Sequence, residues 1–457
     1  MMLNRSNFPV NHLLTLVLCV LFALLWGVWL LPHTVFIRHT SIGLGAFLSL
    51  FVIYPRRQVL WQRYAFPLGL IFLLLVWVSL HVFLIDQDFS RQWQEYQTIW
   101  KKVAISCVFA VGLGLAISSQ MNNKANSRKY WQIIYLGFLL PSIIYFCKYC
   151  LALVANKYQL QLSPYLELNS NHFSHEFGIS RARYVFFCLP ALAIGLGQIA
   201  NAIKMSCFRW QDQSIYILSI PLTLMVFAHE GDRLGAAFAL LFVLIFIFQM
   251  VLLSFQKKRS KRYLLGIIFI VISSLFVLKG VSFDNPVWAT LWADAKIAFQ
   301  VDRYDGWQTR VMPLNESGRP VNASNYERIS WAIVGSRLLF QNPLGYGLLS
   351  LSFGGLGKQI WPNADLSWTH SAWLDIALGY GLPGIILLLS AIGLILKGSV
   401  NLAAPWRQIA ISGLGSMTLV MFAKELSTEV VVNAIIFVAT WAATMNLIKI
   451  DKNNLAI

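Results

Sequence analysis

Apolar runs of roughly 17 to 25 residues recur along the whole length of this chain, and no other feature limits its folding so tightly. A run of that length matches the hydrocarbon thickness of a bilayer. Inside hydrocarbon the backbone must pair its own N–H and C=O groups, so each run is expected to be a helix. Only 12% of the 457 residues are charged, against about a quarter in a soluble domain, and 57% are hydrophobic. The expected fold class is therefore all-α and integral to a membrane.

Twelve spans are expected, over residues 12–31, 36–54, 65–84, 103–119, 132–155, 184–203, 214–228, 234–255, 263–281, 373–397, 408–423 and 429–448. The first run lacks a small-residue cleavage site and reads as span one rather than a signal peptide. With the N-terminus inside, the inner segments hold half of the 36 lysines and arginines, against only Asp212 and Asp451. That bias is the positive-inside signal and fixes the expected orientation. It also accounts for the net charge of +17 without a nucleic-acid partner, which would need a concentrated basic surface. The run Gln256-Lys-Lys-Arg-Ser-Lys-Arg262 is one such inner segment, suited to anionic lipid or simply to setting orientation.

Three regions follow. Residues 1–281 carry spans one to nine with short loops, including an expected interfacial helix over 86–102. Residues 282–372 form the long outside segment, expected to cap the bundle mouth with short helices. Residues 373–457 carry spans ten to twelve.

Metal and redox motifs are weak. Cys147 and Cys150 match C-x-x-C but lie in an apolar span with no second pair, and none of the six cysteines falls in an outside loop. His172, His175 and Glu176 lack the H-E-x-x-H order of a helical zinc site. Nearby Arg181 and Arg183 are suited to a lipid headgroup. No metal and no cofactor are expected.

The most informative stretch is Ser324–Gly384. Ser324 and Glu327 have capping-box spacing, which predicts a helix from Asn325 that Asn342-Pro343 ends. A glycine-rich turn follows, then Thr369-His370 ahead of a helix that should break at Gly381-Leu382-Pro383-Gly384. Arg328 and Arg337 are nine residues apart, about 180° round a helix, so only one can face a site. Arg233 opens span eight in a tight turn beside Gly235, Ala236 and Ala237. Arginine suits phosphate because its planar fork donates two bonds and stays charged. Histidine suits proton abstraction because its ordinary pKa lies near neutrality.

Taken in order, Arg233, Arg328-Ile-Ser-Trp331, Asn342-Pro-Leu-Gly-Tyr-Gly347, His370-Ser-Ala-Trp-Leu374 and Gly381-Leu-Pro-Gly384 resemble the O-antigen ligase family. That family shares its core with O-antigen polymerases and bacterial protein O-oligosaccharyltransferases. The likeness is strongest over 230–400; Ser371 stands where the family has Asn, and Arg328 precedes Trp331 by three positions rather than four.

The resemblance implies a GT-C-like, metal-independent, inverting glycosyltransferase of the bacterial inner membrane, working at its periplasmic face. The donor would be a glycan on undecaprenyl diphosphate and the acceptor a sugar hydroxyl of lipid A–core. Catalysis would fall to His370, Arg233 and Arg328, with Arg181, Arg183 and Arg337 as further donor-binding candidates. A protein Ser or Thr acceptor, as in a protein O-oligosaccharyltransferase, or a second lipid-linked glycan, as in a polymerase, are the alternatives. The protein transferases often add a soluble C-terminal domain, and nine residues follow span twelve here. A transporter is the distant alternative, and no inverted repeat is visible to support it.

Overall fold

The computed structural model describes residues 11–85, 88–121, 123–168, 176–256, 286–424 and 427–447. The basic run over 257–262, expected span nine (263–281), and His172 and His175 lie outside them. Among the described residues the regular structure is all helical, with no strand beyond a single bridge between Leu314 and Pro320.

Fifteen α-helices matter here. They are α1 (His12–Trp29), α2 (Val35–Ile53), α3 (Phe66–Leu84), α4 (Phe89–Gln120) and α5 (Lys124–Tyr158). Next come α6 (Arg181–Lys204), α7 (Trp210–Glu230), α8 (Arg233–Gln256), α9 (Pro286–Ala298) and α10 (Gly306–Thr309). The last are α11 (Ala323–Gln341), α12 (Ser352–Ile360), α13 (Ala372–Ser399), α14 (Ile409–Val420) and α15 (Glu429–Met445).

Eight of these helices are long and apolar enough to cross a membrane: α1 to α6, α8 and α13. The protein is thus a multi-pass, all-helical membrane protein. Helix α7 has the length but opens on Trp210-Gln-Asp-Gln-Ser214, while α14 and α15 are shorter apolar helices. α6 and α15 are wrapped by the others, and every residue of α15 from Val431 to Met445 is buried. Their neighbours meet at small residues that let helix backbones approach: Gly112 lies against Ser49, Gly137 against Ala23 and Gly114 against Thr444. An aromatic cluster of Phe22, Trp26, Phe138 and Trp441 fills the space between α1, α5 and α15. Outward positions such as Phe36, Phe72 and Phe83 stay exposed, as a bilayer-facing surface requires.

The interfacial helix expected over 86–102 is not separate. From Phe89 onward it is the start of α4, continuous through a π-helical turn at Tyr96–Trp100. The reason lies in Glu95 and Gln92, which are buried rather than solvated. The two oxygens of Glu95 accept from Leu349 N (2.6 Å) and Ser350 N (3.3 Å), and Tyr380 Oη donates to Oε1 at 2.8 Å. Gln92 Nε2 donates to Tyr346 O at 3.1 Å. The start of α4 therefore serves as the seat of the glycine-rich turn.

That turn locks into the break in α13. Gly381 leaves helical geometry (φ 69°, ψ −174°), as the sequence predicts, and splits α13 in two. Tyr346 N and Gly347 N donate to Leu378 O (2.8 Å) and Gly379 O (2.7 Å), and Leu382 N donates to Pro343 O at 2.8 Å. Gly345, at φ 87°, passes so close to Gly379 and Gly381 that a Cβ would lie 2.6 Å from Gly379 O. Backbone approach of that kind needs glycine on both sides.

Candidate functional site

Helix α11 places two chemistries on one side and a third opposite. Glu327 and Trp331, four residues apart, share a face, and Arg328 lies one step round. The capping-box expectation fails. Asn322 is the N-cap, Ser324 Oγ accepts instead from Arg328 Nε (3.4 Å), and Glu327 turns away from the helix start. The predicted end at Gln341 is found.

His370 stacks on Trp331, ring centroids 5.0 Å apart and 17° from parallel. Its Nε2 lies 3.7 Å from Glu327 Oε2, and both side chains are largely covered. Trp331 is fixed from behind, donating to Trp307 O at 2.9 Å. Arg310 stands 5.4 Å from the centre of the Trp331 ring. Its Nη1 is 3.9 Å from Glu327 Oε1, and its Nε is 2.8 Å from Asp365. His370 therefore meets an aromatic plane and a carboxylate, and the Arg310 guanidinium bears on both of those partners.

The backbone holds His370 in the left-handed region, at φ 62°. Such a residue costs of order 1–3 kcal/mol and persists only where its surroundings enforce it. Buried Asp375, in the first turn of α13, supplies the enforcement. Its Oδ1 accepts from Thr369 N (2.9 Å) and Thr369 Oγ1 (2.8 Å), and its Oδ2 accepts from Ser427 Oγ (2.9 Å). Ala372 N donates to both Met421 O and Lys424 O, at 3.0 and 3.1 Å.

The turn at 421–424, between α14 and α15, is the hub. Arg328 Nη1 donates to Ala423 O at 2.6 Å. Lys424, buried, donates to both oxygens of buried Asp232, at 2.5 and 2.8 Å. Asp232 also caps α8, accepting from Gly235 N at 2.7 Å, and is followed by half-buried Arg233. One short turn thus gathers Arg328 from α11, the His370 segment from α13 and the Arg233 turn from α8. Burial pushes the Lys424 ammonium below the ordinary lysine range; Asp232 opposes that shift, and nearby Arg328 and Arg181 reinforce it.

Of the sequence candidates, Arg233, Arg328, His370 and exposed Arg181 lie round this hub. Arg337 does not. It is on the outer face of α11 in a two-point pair with Asp302, at 2.5 and 2.8 Å. That pair lowers the Asp302 carboxyl below its usual range and raises the arginine. Arg183 is half-buried in the first turn of α6 and makes none of these contacts. Glu327, Arg310, Asp375 and the Lys424–Asp232 pair were not legible beforehand. A single lysine ending an apolar run reads as an interface anchor, and nothing local ties it to an aspartate far upstream.

Among the described residues no group of three or more His, Cys, Asp or Glu side chains could hold a metal ion. The cations at the hub can bind an anion, and His370 beside Glu327 can exchange a proton. Compared with models of known protein families the chain matches none, and no curated protein sequence matches it.

Proposed function

We propose that this chain is an O-antigen ligase, a GT-C-like glycosyltransferase with twelve spans in the bacterial inner membrane and its site at the periplasmic face. It moves a glycan from undecaprenyl diphosphate to a sugar hydroxyl of lipid A–core. The supporting observation is the 421–424 turn, which brings Arg328 and the Arg233 turn together with His370. Phosphate-binding cations beside a proton acceptor are the two parts this transfer requires.

In this mechanism Arg233 and Arg328 hold the donor diphosphate, with Arg181 and Lys424 beside them. Their charge stabilises the oxyanion as the bond between the anomeric carbon and phosphate breaks. The acceptor hydroxyl gives its proton to His370 and its oxygen attacks from the opposite face, inverting the anomeric carbon. Undecaprenyl diphosphate leaves with the electron pair of the broken bond. Glu327 faces the imidazolium that forms, and Trp331 keeps the ring in plane.

The test is deletion of the gene in its host, with lipopolysaccharide and glycoproteins resolved on gels. Loss of glycan-capped lipid A–core, with full-length lipid-linked glycan accumulating, supports the ligase. Loss from a protein instead would make it a protein O-oligosaccharyltransferase, and shortened chains a polymerase.

A further inference from the structure

A second imidazole stands on the turn that leads to Arg233, and the transfer mechanism makes no use of it. Helix α7 ends at Glu230, where Gly231 (φ 60°) caps it in the left-handed region. An acidic side chain there meets the negative end of the helix dipole, so buried Glu230 needs donors. Tyr145 of α5 is one, its hydroxyl 2.5 Å from Glu230 Oε1. The same hydroxyl lies 2.6 Å from His229 Nδ1. A carboxylate brings no proton, so the tyrosine donates its own to Glu230 and its oxygen accepts from Nδ1–H. The lone pair of the neutral ring is then on Nε2. His229 is exposed, one residue past expected span seven, and its Nε2 has no partner among the described residues.

The surroundings hold the ring on one side only. Tyr149 of α5 meets it edge-on at 4.7 Å, and Tyr184, in the first turn of α6, packs edge-on against Tyr145 at 4.9 Å. The neighbouring charges are otherwise engaged: Lys148 donates to Glu167 O (3.5 Å), and Asp232 is matched by Lys424. Partial burial lowers the imidazole below its ordinary value, which leaves it neutral at neutral pH. Arg233 is four residues on, across a tight turn that Asp232 ties to the hub through Lys424. An anion arriving at that turn favours the charged form of a neighbouring base. We propose that His229 is a further donor-binding residue, which takes a proton from water as the diphosphate binds and donates from Nε2 to a phosphate oxygen, while Tyr145 and Glu230 hold its Nδ1 side. The role rests on the donor being a diphosphate, as proposed above. Binding raises the imidazole relative to the free protein, so the gain is present at low pH and is lost as pH rises through its value in the complex.

Donor titration of the purified full-length protein in detergent, from about pH 5 to about pH 8, tests this. The probe is undecaprenyl-diphosphate-linked N-acetylglucosamine, a diphosphate diester with no group of its own titrating in that range. A His370→Gln background removes the other imidazole of the site. In it, the protein with His229 should bind the probe about tenfold more tightly at the acid end, the worth of one charge-assisted hydrogen bond. His229→Gln, at an exposed position, should bind equally at both ends. Tyr145→Phe keeps the ring against Tyr184 and should lose most of the acid gain. An unchanged acid gain in His229→Gln, or a full gain in Tyr145→Phe, overturns the proposal. Should Tyr145→Phe fail to fold, His229→Gln decides alone. Arg328→Ala keeps the two readings apart. If it abolishes binding while His229→Gln changes nothing, the donor reading stands and the role of His229 falls. If it leaves binding intact, the donor reading falls and takes the role of His229 with it.

Discussion

Arg328 and Arg337 share one helix and have opposite surroundings. Arg328 is tied to Ala423 O inside the hub, while Arg337 is paired with Asp302 on the exposed face. Arg337→Ala should therefore leave glycan transfer unchanged, and Arg328→Ala should weaken donor binding and transfer together. Arg328→Lys should recover only part, because a point charge replaces a two-point fork. Donor titration of the purified variants checks this, and equal losses at both positions would refute it. The buried pair gives a second expectation. Lys424→Met alone leaves Asp232 charged and buried, at a cost of about 3–5 kcal/mol. Adding Asp232→Asn should restore much of the thermal stability, as measured by unfolding in detergent. The opposed faces of α11 were readable from a nine-residue spacing. The partners were not, because Ser324 and Glu327 fit a capping box by spacing alone while a tertiary contact with His370 decides where Glu327 points.

At the scale of elements, the glycine turn over 343–350 and the broken helix α13 stand or fall together. Gly345 has a positive φ and no room for a Cβ between Gly379 and Gly381. Gly345→Ala should thus destabilise by about 1–3 kcal/mol through strain and displace the turn from Glu95. Thermal unfolding and transfer rate should fall together; an unchanged melting temperature would contradict the interlock. The break at Gly381 and the stop at Asn342-Pro343 were legible because glycine and proline act locally. The continuity of Phe89–Gln120 was not, since Trp93, Tyr96 and Trp100 fit an interfacial helix equally well. What joins that segment to the bundle is the burial of Gln92 and Glu95 under a turn some 250 positions away, as the Glu95–Leu349 bond spans 254 residues.

For the whole molecule, the apolar runs identified an all-helical membrane protein, and eight described helices meet the length and hydropathy it requires. Orientation rests on the charge bias. Reporters fused within 282–369 should be active only outside the cytoplasm and those within 256–262 only inside. Swapped activities would contradict the proposed periplasmic placement. The proposed transfer at His370 is open to a direct assay with purified components. Wild-type protein, undecaprenyl-diphosphate-linked glycan and lipid A–core are combined in the presence of a metal chelator and compared with His370→Gln. The wild type should yield glycan-capped lipid A–core. The variant should bind donor near-normally and transfer about 10² to 10⁴-fold more slowly, the usual loss for a general base. Transfer by His370→Gln at the wild-type rate, or none by the wild type, would contradict that proposal.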